Sequence, residues 1–313
     1  MANPVNHLPD RKRAWLIPLL CLLAGGALLG ISTNLAKLAG EVNLPPLAFL
    51  SWSITGAALI LMCLAALRRD LPPVSRHTLE YYVVAALVGV AVPNLIFFSA
   101  IPHIGAGFVA LIITLPPLLT YLGALILGME NFRIARAAGV AAALAGAGVL
   151  AAHKFAAPDA DAFWILLALC GPALLAIGNI YRTLRWPEGV SADTLVPGML
   201  TAAALMLPVA ALLPGFSLSV PPDHALPLLL IILQAVIFAG QFLLLFILQK
   251  TGGPVLLSLL GSVGAVVGVP VAIFLQGEAP PEGLFLGSVL IAAGVLLVTF
   301  GKARTKKPTP KTR

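Results

Sequence analysis

The stretch GMENFRIARAAGVAAALAGAG, residues 128–148, places Glu130, Arg133 and Arg136 within seven residues and then runs apolar, with Gly139 and Gly146 seven apart. A later stretch, GEAPPEGLFLGSVLIAAG (277–294), repeats the acid and both glycines at Glu278, Gly287 and Gly294, each 148 positions on. The arginines are not repeated. A copy that keeps its glycines and drops its positive charge makes sense if the two copies lie on opposite sides of a boundary that sorts charge.

Composition supplies that boundary. Of 313 residues, 60% are hydrophobic and 10% charged, and the mean hydropathy is +1.02. Soluble domains carry about a quarter charged residues, so lipid is the natural solvent for this chain. Apolar runs of about 20 residues are what a helix needs to cross a bilayer, and lipid leaves helix as the form in which such runs satisfy their backbone. Ten such runs occur: 14–36, 46–67, 79–101, 105–127, 134–152, 162–184, 194–213, 225–248, 253–275 and 282–301. The first follows Arg11, Lys12 and Arg13 as a signal peptide would, but it is long for one and no A-x-A site ends it, so it reads as a retained helix. The fold class expected is an all-α integral membrane protein.

Lysine and arginine gather on the cytoplasmic side of membrane proteins. With the N-terminus inside, 17 of the 19 basic residues fall on cytoplasmic segments, and only Lys37 and Lys154 do not. The net charge of +7 is therefore a matter of topology, and no nucleic-acid partner is expected. The tail GKARTKKPTPKTR (301–313) has six basic residues and two prolines, and reads as an anchor drawn to anionic lipid headgroups. The segments are a cytoplasmic 1–13, a first five-helix unit 14–152, a second 162–301 and a basic tail 302–313, both termini lying on the cytoplasmic face of the cytoplasmic (inner) membrane.

The shift of 148 also pairs Gly30 with Gly178 and Gly105 with Gly253. Five spans per unit is an odd number, so the second unit enters the membrane upside down relative to the first. Segment 128–136 is then cytoplasmic and its copy faces outward, where positive charge is disfavoured. Inverted repeats of this kind are typical of secondary transporters, with a site near the midplane between the halves.

With its doubled five-helix unit, GAGFVALIITLPPLLTYLGALILGME (105–130), the glycine-rich span after it and GGPVLLSLLGSVGAVVGVPVAIFLQGE (252–278), the chain resembles the EamA-type branch of the drug/metabolite transporter superfamily over residues 14–301. The resemblance implies a ten-helix basket whose cavity is lined mainly by helices 1, 3, 4, 6, 8 and 9. It also implies transport, often outward, of amino acids, other metabolites or nucleotide sugars.

Polar groups within spans mark a possible pathway, because each must find a partner or water. They are Asn34 beside Ser32 and Thr33, Asn94 after Pro93, Thr114 before Pro116 and Pro117, Tyr121, Asn179, Tyr181, Gln234, Gln241, Ser258 and Ser262. Serine and threonine also bond to their own helix, and asparagine or glutamine can simply bridge helices. Asn94 and Gln241 stand out, about one residue apart in the repeat alignment. Lys37 and Arg182, near span ends, read as snorkelling side chains, and Cys21, Cys63 and Cys170 as small core residues without metal spacing. No metal, cofactor or catalytic motif is expected. The reading is a carrier of a small neutral or zwitterionic, amino-acid-like solute, with membrane lipid around it. The alternatives are a nucleotide-sugar, drug or lipid-precursor carrier of the same fold, and an intramembrane enzyme.

Overall fold

A computed structural model describes residues 16–129, 131–156, 161–222, 225–257, 260–280 and 282–300. Among these, eight helices are long and apolar enough to cross a bilayer. They are α1 (Leu16–Glu41), α2 (Pro46–Leu67), α3 (Arg76–Ile104), α4 (Ala106–Ile126), α5 (Ile134–Ala156), α6 (Ala162–Leu184), α7 (Ala192–Leu212) and α8 (Leu226–Leu257). Two shorter apolar helices follow, α9 (Leu260–Leu275) and α10 (Leu284–Phe300). No strand occurs among the described residues. Large apolar side chains such as Leu59, Leu205, Phe274 and Phe285 lie exposed on the outside, far more than a soluble surface tolerates.

Small residues decide which helices meet. α1 packs on α8 and α9, α6 on α3 and α4, α2 and α7 on each other, and α5 on α10. Along the α1–α9 seam a Cβ on Gly30 would collide with the Gly264 carbonyl and stand 2.8 Å from the Gly268 nitrogen. The absence of side chains there is what lets the two backbones touch. In the α5–α10 pair, a Cβ on Gly146 would stand 2.7 Å from the Gly287 carbonyl oxygen, and one on Gly294 would collide with the Gly139 carbonyl.

Among the described residues, four helices depart from regular α geometry, and in α7 the departure is a 3-10 ending at Leu207–Leu212 beside Pro208. α3 widens into a π turn at Leu87–Ala91, α4 breaks between Ile112 and Pro116, and α9 becomes π-helical at Val271–Leu275 after Pro270. The α3 and α4 breaks precede prolines, which lack the N–H that would close the turn before them, and the α9 change follows Pro270.

The helix ends and the cysteines depart from the sequence reading. α8 runs on through Gly252 and Gly253 to Leu257 instead of ending at 248, since glycine is a weak helix former but does not forbid helical backbone. Cys21 is buried as expected, but Cys63 and Cys170 are exposed on helix surfaces. In a lipid-borne helix an apolar run does not tell a protein-facing position from a lipid-facing one.

Candidate functional site

Two of the interrupted helices open onto one space. In α3, Pro93 has no N–H to offer the Gly89 carbonyl, and the following Asn94 donates through Nδ2 to the Val90 carbonyl at 2.7 Å. In α4, Pro116 and Pro117 cannot donate to the carbonyls of Ile112 and Ile113. The first is taken instead by the Leu115 N–H at 3.0 Å. The second presses so closely on Gly261 of α9 that any Cβ there would collide with it.

Between these breaks lies a cavity of about 680 Å³, its open mouth included. Its wall is drawn from Leu29 of α1, Asn94 and Phe97 of α3, Ile113, Pro116 and Pro117 of α4, and Leu175, Asn179 and Arg182 of α6. Gly89 of α3, Gln241, Phe242, Leu245 and Leu257 of α8, and Leu260 and Gly261 of α9 complete it. These are the six helices that the sequence resemblance implies. The space reaches from the α4 break towards the end of the molecule where α6 finishes and α9 begins.

Most of this wall is apolar, so its few polar groups define the chemistry. The Gln241 side chain is 4% exposed, and its Oε1 has no hydrogen-bond partner. Arg182 is 2% exposed. Its Nη2 donates to Asn179 Oδ1 at 2.6 Å and its Nε to Gln249 Oε1 at 3.3 Å. Its guanidinium carbon stands 5.7 Å from the centre of the Phe246 ring. Gln249 is itself oriented by donating to Thr183 Oγ1 at 3.3 Å. Arg182 therefore does not snorkel, as its place near a span end suggests. It turns inward because Gly89 leaves room for Nη1, where a Cβ would collide with it, and because two amide oxygens receive it.

Of the residues singled out from sequence, Asn94, Pro116, Pro117, Asn179 and Gln241 line the cavity. Ser262 follows Gly261 on α9, and its Oγ is buried without a partner. Ser258 lies outside the described residues. The others stand elsewhere. Thr114 bonds its own helix at the Leu111 carbonyl, 2.7 Å away. Gln234 of α8 donates to Ser32 of α1 at 2.5 Å. Tyr121 accepts from the Arg133 N–H at 3.2 Å and lies under the Arg136 guanidinium. Tyr181 stacks on Tyr81 with ring centres 6.0 Å apart.

Asn34 belongs to a polar clasp at the end of the bundle away from Arg182. Its Nδ2 donates to the Gly30 and Gly268 carbonyls at 2.8 and 3.0 Å, tying α1 to α9. Gln276 returns a bond from Nε2 to the Asn34 carbonyl at 2.9 Å, and Lys37 Nζ reaches the Gln276 carbonyl at 3.4 Å. The Glu278 carboxylate accepts from the Gly107 N–H at 2.8 Å, in the first turn of α4. There the helix's free amides favour negative charge. At the opposite end Glu80 and Arg185 form an ion pair at 2.9 Å, which holds the Arg185 guanidinium above its usual range. Both side chains are about half exposed, so the pair is a weak tie.

No curated protein matches the chain. Its fold is similar to that of a solved structure described only as "Crystal structure of protein", with a TM-score of 0.64 and 21% identity over 94% of this chain and 100% of that one. At that identity the likeness concerns fold alone. The model of the EamA-like transporter family matches residues 16–152, the segment holding α1 to α5 with the α3 and α4 breaks. Residues 16–152 thus match the EamA-like transporter family, within the drug/metabolite transporter superfamily, and the eight long apolar helices make the chain a multi-pass membrane protein.

Proposed function

We propose that the chain is a secondary transporter that carries a small neutral or zwitterionic, amino-acid-like solute outward across the cytoplasmic membrane by alternating access. One observation carries this reading: a cavity walled by α1, α3, α4, α6, α8 and α9 at two broken helices, with the Asn34–Gly268, Gln276–Asn34 and Gly107–Glu278 bonds tying α9 to α1 and α4. In this reading α1 to α10 are ten spans in two inverted units, 14–152 and 162–301.

The packing supports the inversion. A shift of 148 pairs Gly139 with Gly287 and Gly146 with Gly294, and the contacts run crosswise, Gly146 to Gly287 and Gly294 to Gly139. A two-fold axis exchanging the halves produces this pattern. The exchange also turns the contact of α1 with α8 into that of α6 with α3, and α1 with α9 into α6 with α4. With the N-terminus inside, the clasp closes the outer end, and the cavity faces the cytoplasm. The mirrored arrangement would open it outward.

Counterflow in proteoliposomes tests the proposal. Vesicles loaded with a pool of unlabelled amino acids and common metabolites are offered labelled members outside. A transient overshoot for one solute is the expected result, since it requires a site exposed alternately to the two sides. Monotonic equilibration without overshoot would indicate a passive pore and overturn it.

A further inference from the structure

Arg182 puts a positive charge on the cavity wall with no negative partner. Among the described residues no carboxylate lies within ion-pair distance of it, and Glu80 is paired with Arg185. Its contacts are the neutral oxygens of Asn179 and Gln249 and the face of Phe246. Such groups orient a guanidinium without neutralising it, and an uncompensated charge in an apolar interior is strongly disfavoured. Two of its five N–H groups are used in these bonds, and Nη1 lies beside Gly89. A carboxylate matches the planar fork that remains, in shape and in charge.

We infer that Arg182 binds the carboxylate of the transported solute, and that the solute is an organic acid or amino-acid-like zwitterion with an apolar body. The inference rests on the transport reading only in taking the bound solute to be the cargo. Phe97, Leu175 and Phe242 supply the apolar surface for the body. Gln241 Oε1, buried and without a partner on the same wall, accepts from the solute's ammonium or other donor. Asn179 and Gln249 are positioning residues that hold the guanidinium in place.

The test is thermal stability of the purified full-length protein in neutral detergent, with matched probes. L-leucine, L-phenylalanine and 4-methylpentanoate are compared with leucinamide, phenylalaninamide and 4-methylpentanamide, which differ in lacking the carboxylate. At least one acid is expected to raise the melting temperature, and its amide is not. Arg182→Gln should weaken that acid by about 10- to 100-fold. It should also leave the ligand-free protein as stable as before or more so, because a charge without a partner has been removed. A purely structural arginine would instead give a less stable apoprotein.

If Arg182→Gln does not fold, Gly89→Ala reads the same site, since its methyl displaces Nη1 while the charge remains. It should weaken the acid and leave the amides unchanged. Equal stabilisation by acid and amide, no stabilisation by any acid, or full retention of the acid effect in the variants would each overturn the assignment. An acid that binds through Arg182 but gives no counterflow would leave the site standing and remove the transport reading.

Discussion

Gly146 lies so close to Gly287 that a Cβ built on it would stand 2.7 Å from the Gly287 carbonyl oxygen. The crosswise partner, Gly294 against the Gly139 carbonyl, is at least as tight. Gly146→Ala and Gly294→Ala should therefore destabilise the protein alike, each by roughly 1–3 kcal/mol, as overpacking does. Thermal unfolding in detergent checks this. A severe effect in one and none in the other would speak against a two-fold relation between the halves.

Under the inverted arrangement proposed above, the two copied segments lie on opposite faces of the membrane. In a background lacking Cys21, Cys63 and Cys170, a cysteine at Asn131 should react with a membrane-impermeant maleimide only from the cytoplasmic side. One at Ala279 should react only from the outer side. Labelling of both from one side would rule out inverted units.

On the cavity wall, Asn94→Ala and Gln241→Ala should each lower flux about tenfold or more, the effect of one lost buried hydrogen bond to solute. The amount of folded protein in the membrane should stay unchanged, as judged by size-exclusion of the solubilised protein. Normal flux in both would remove them from the pathway.

The Ser32–Gln234 contact gives the contrasting case. The pair joins α1 to α8 away from the cavity wall. Ser32→Ala and Gln234→Leu should show a coupling of about 0.6 kcal/mol in a double-mutant cycle on stability, and flux should hold. A large loss of transport in the folded double variant would move Gln234 into the pathway.

Much of this architecture is legible in sequence because bilayer thickness and charge sorting act on composition directly. The eight long helices fall on predicted spans, and Pro93, Pro116 and Pro117 announce their breaks by the donors they lack. Asn94 and Gln241 stand out as amides in apolar helices, and both line the cavity. Arg182 was not legible as a wall residue. A basic residue near a span end fits equally well with snorkelling, and its inward turn depends on Gly89, 93 residues earlier in the chain. Its one local signal is Asn179, a turn before it on the same face. Asn34 shows the opposite case. As a mid-span amide it is as conspicuous as Asn94, yet its partner is the Gly268 backbone, 234 residues away. Glu278 looks interfacial, and only the folded chain brings it to the start of α4.

The central claim is that the cavity opens to one side at a time. Asn94→Cys in the cysteine-free background, in vesicles of known orientation, tests it most directly. With the clasp intact, an impermeant maleimide should label that cysteine only from the face where α6 ends. Glu278→Ala removes a charge-assisted hydrogen bond of about 1.5–3 kcal/mol from the opposite end, and labelling from that end should then appear as labelling from the first declines. Equal labelling from both faces with the clasp intact, or sidedness unmoved by Glu278→Ala, would contradict alternating access through this cavity.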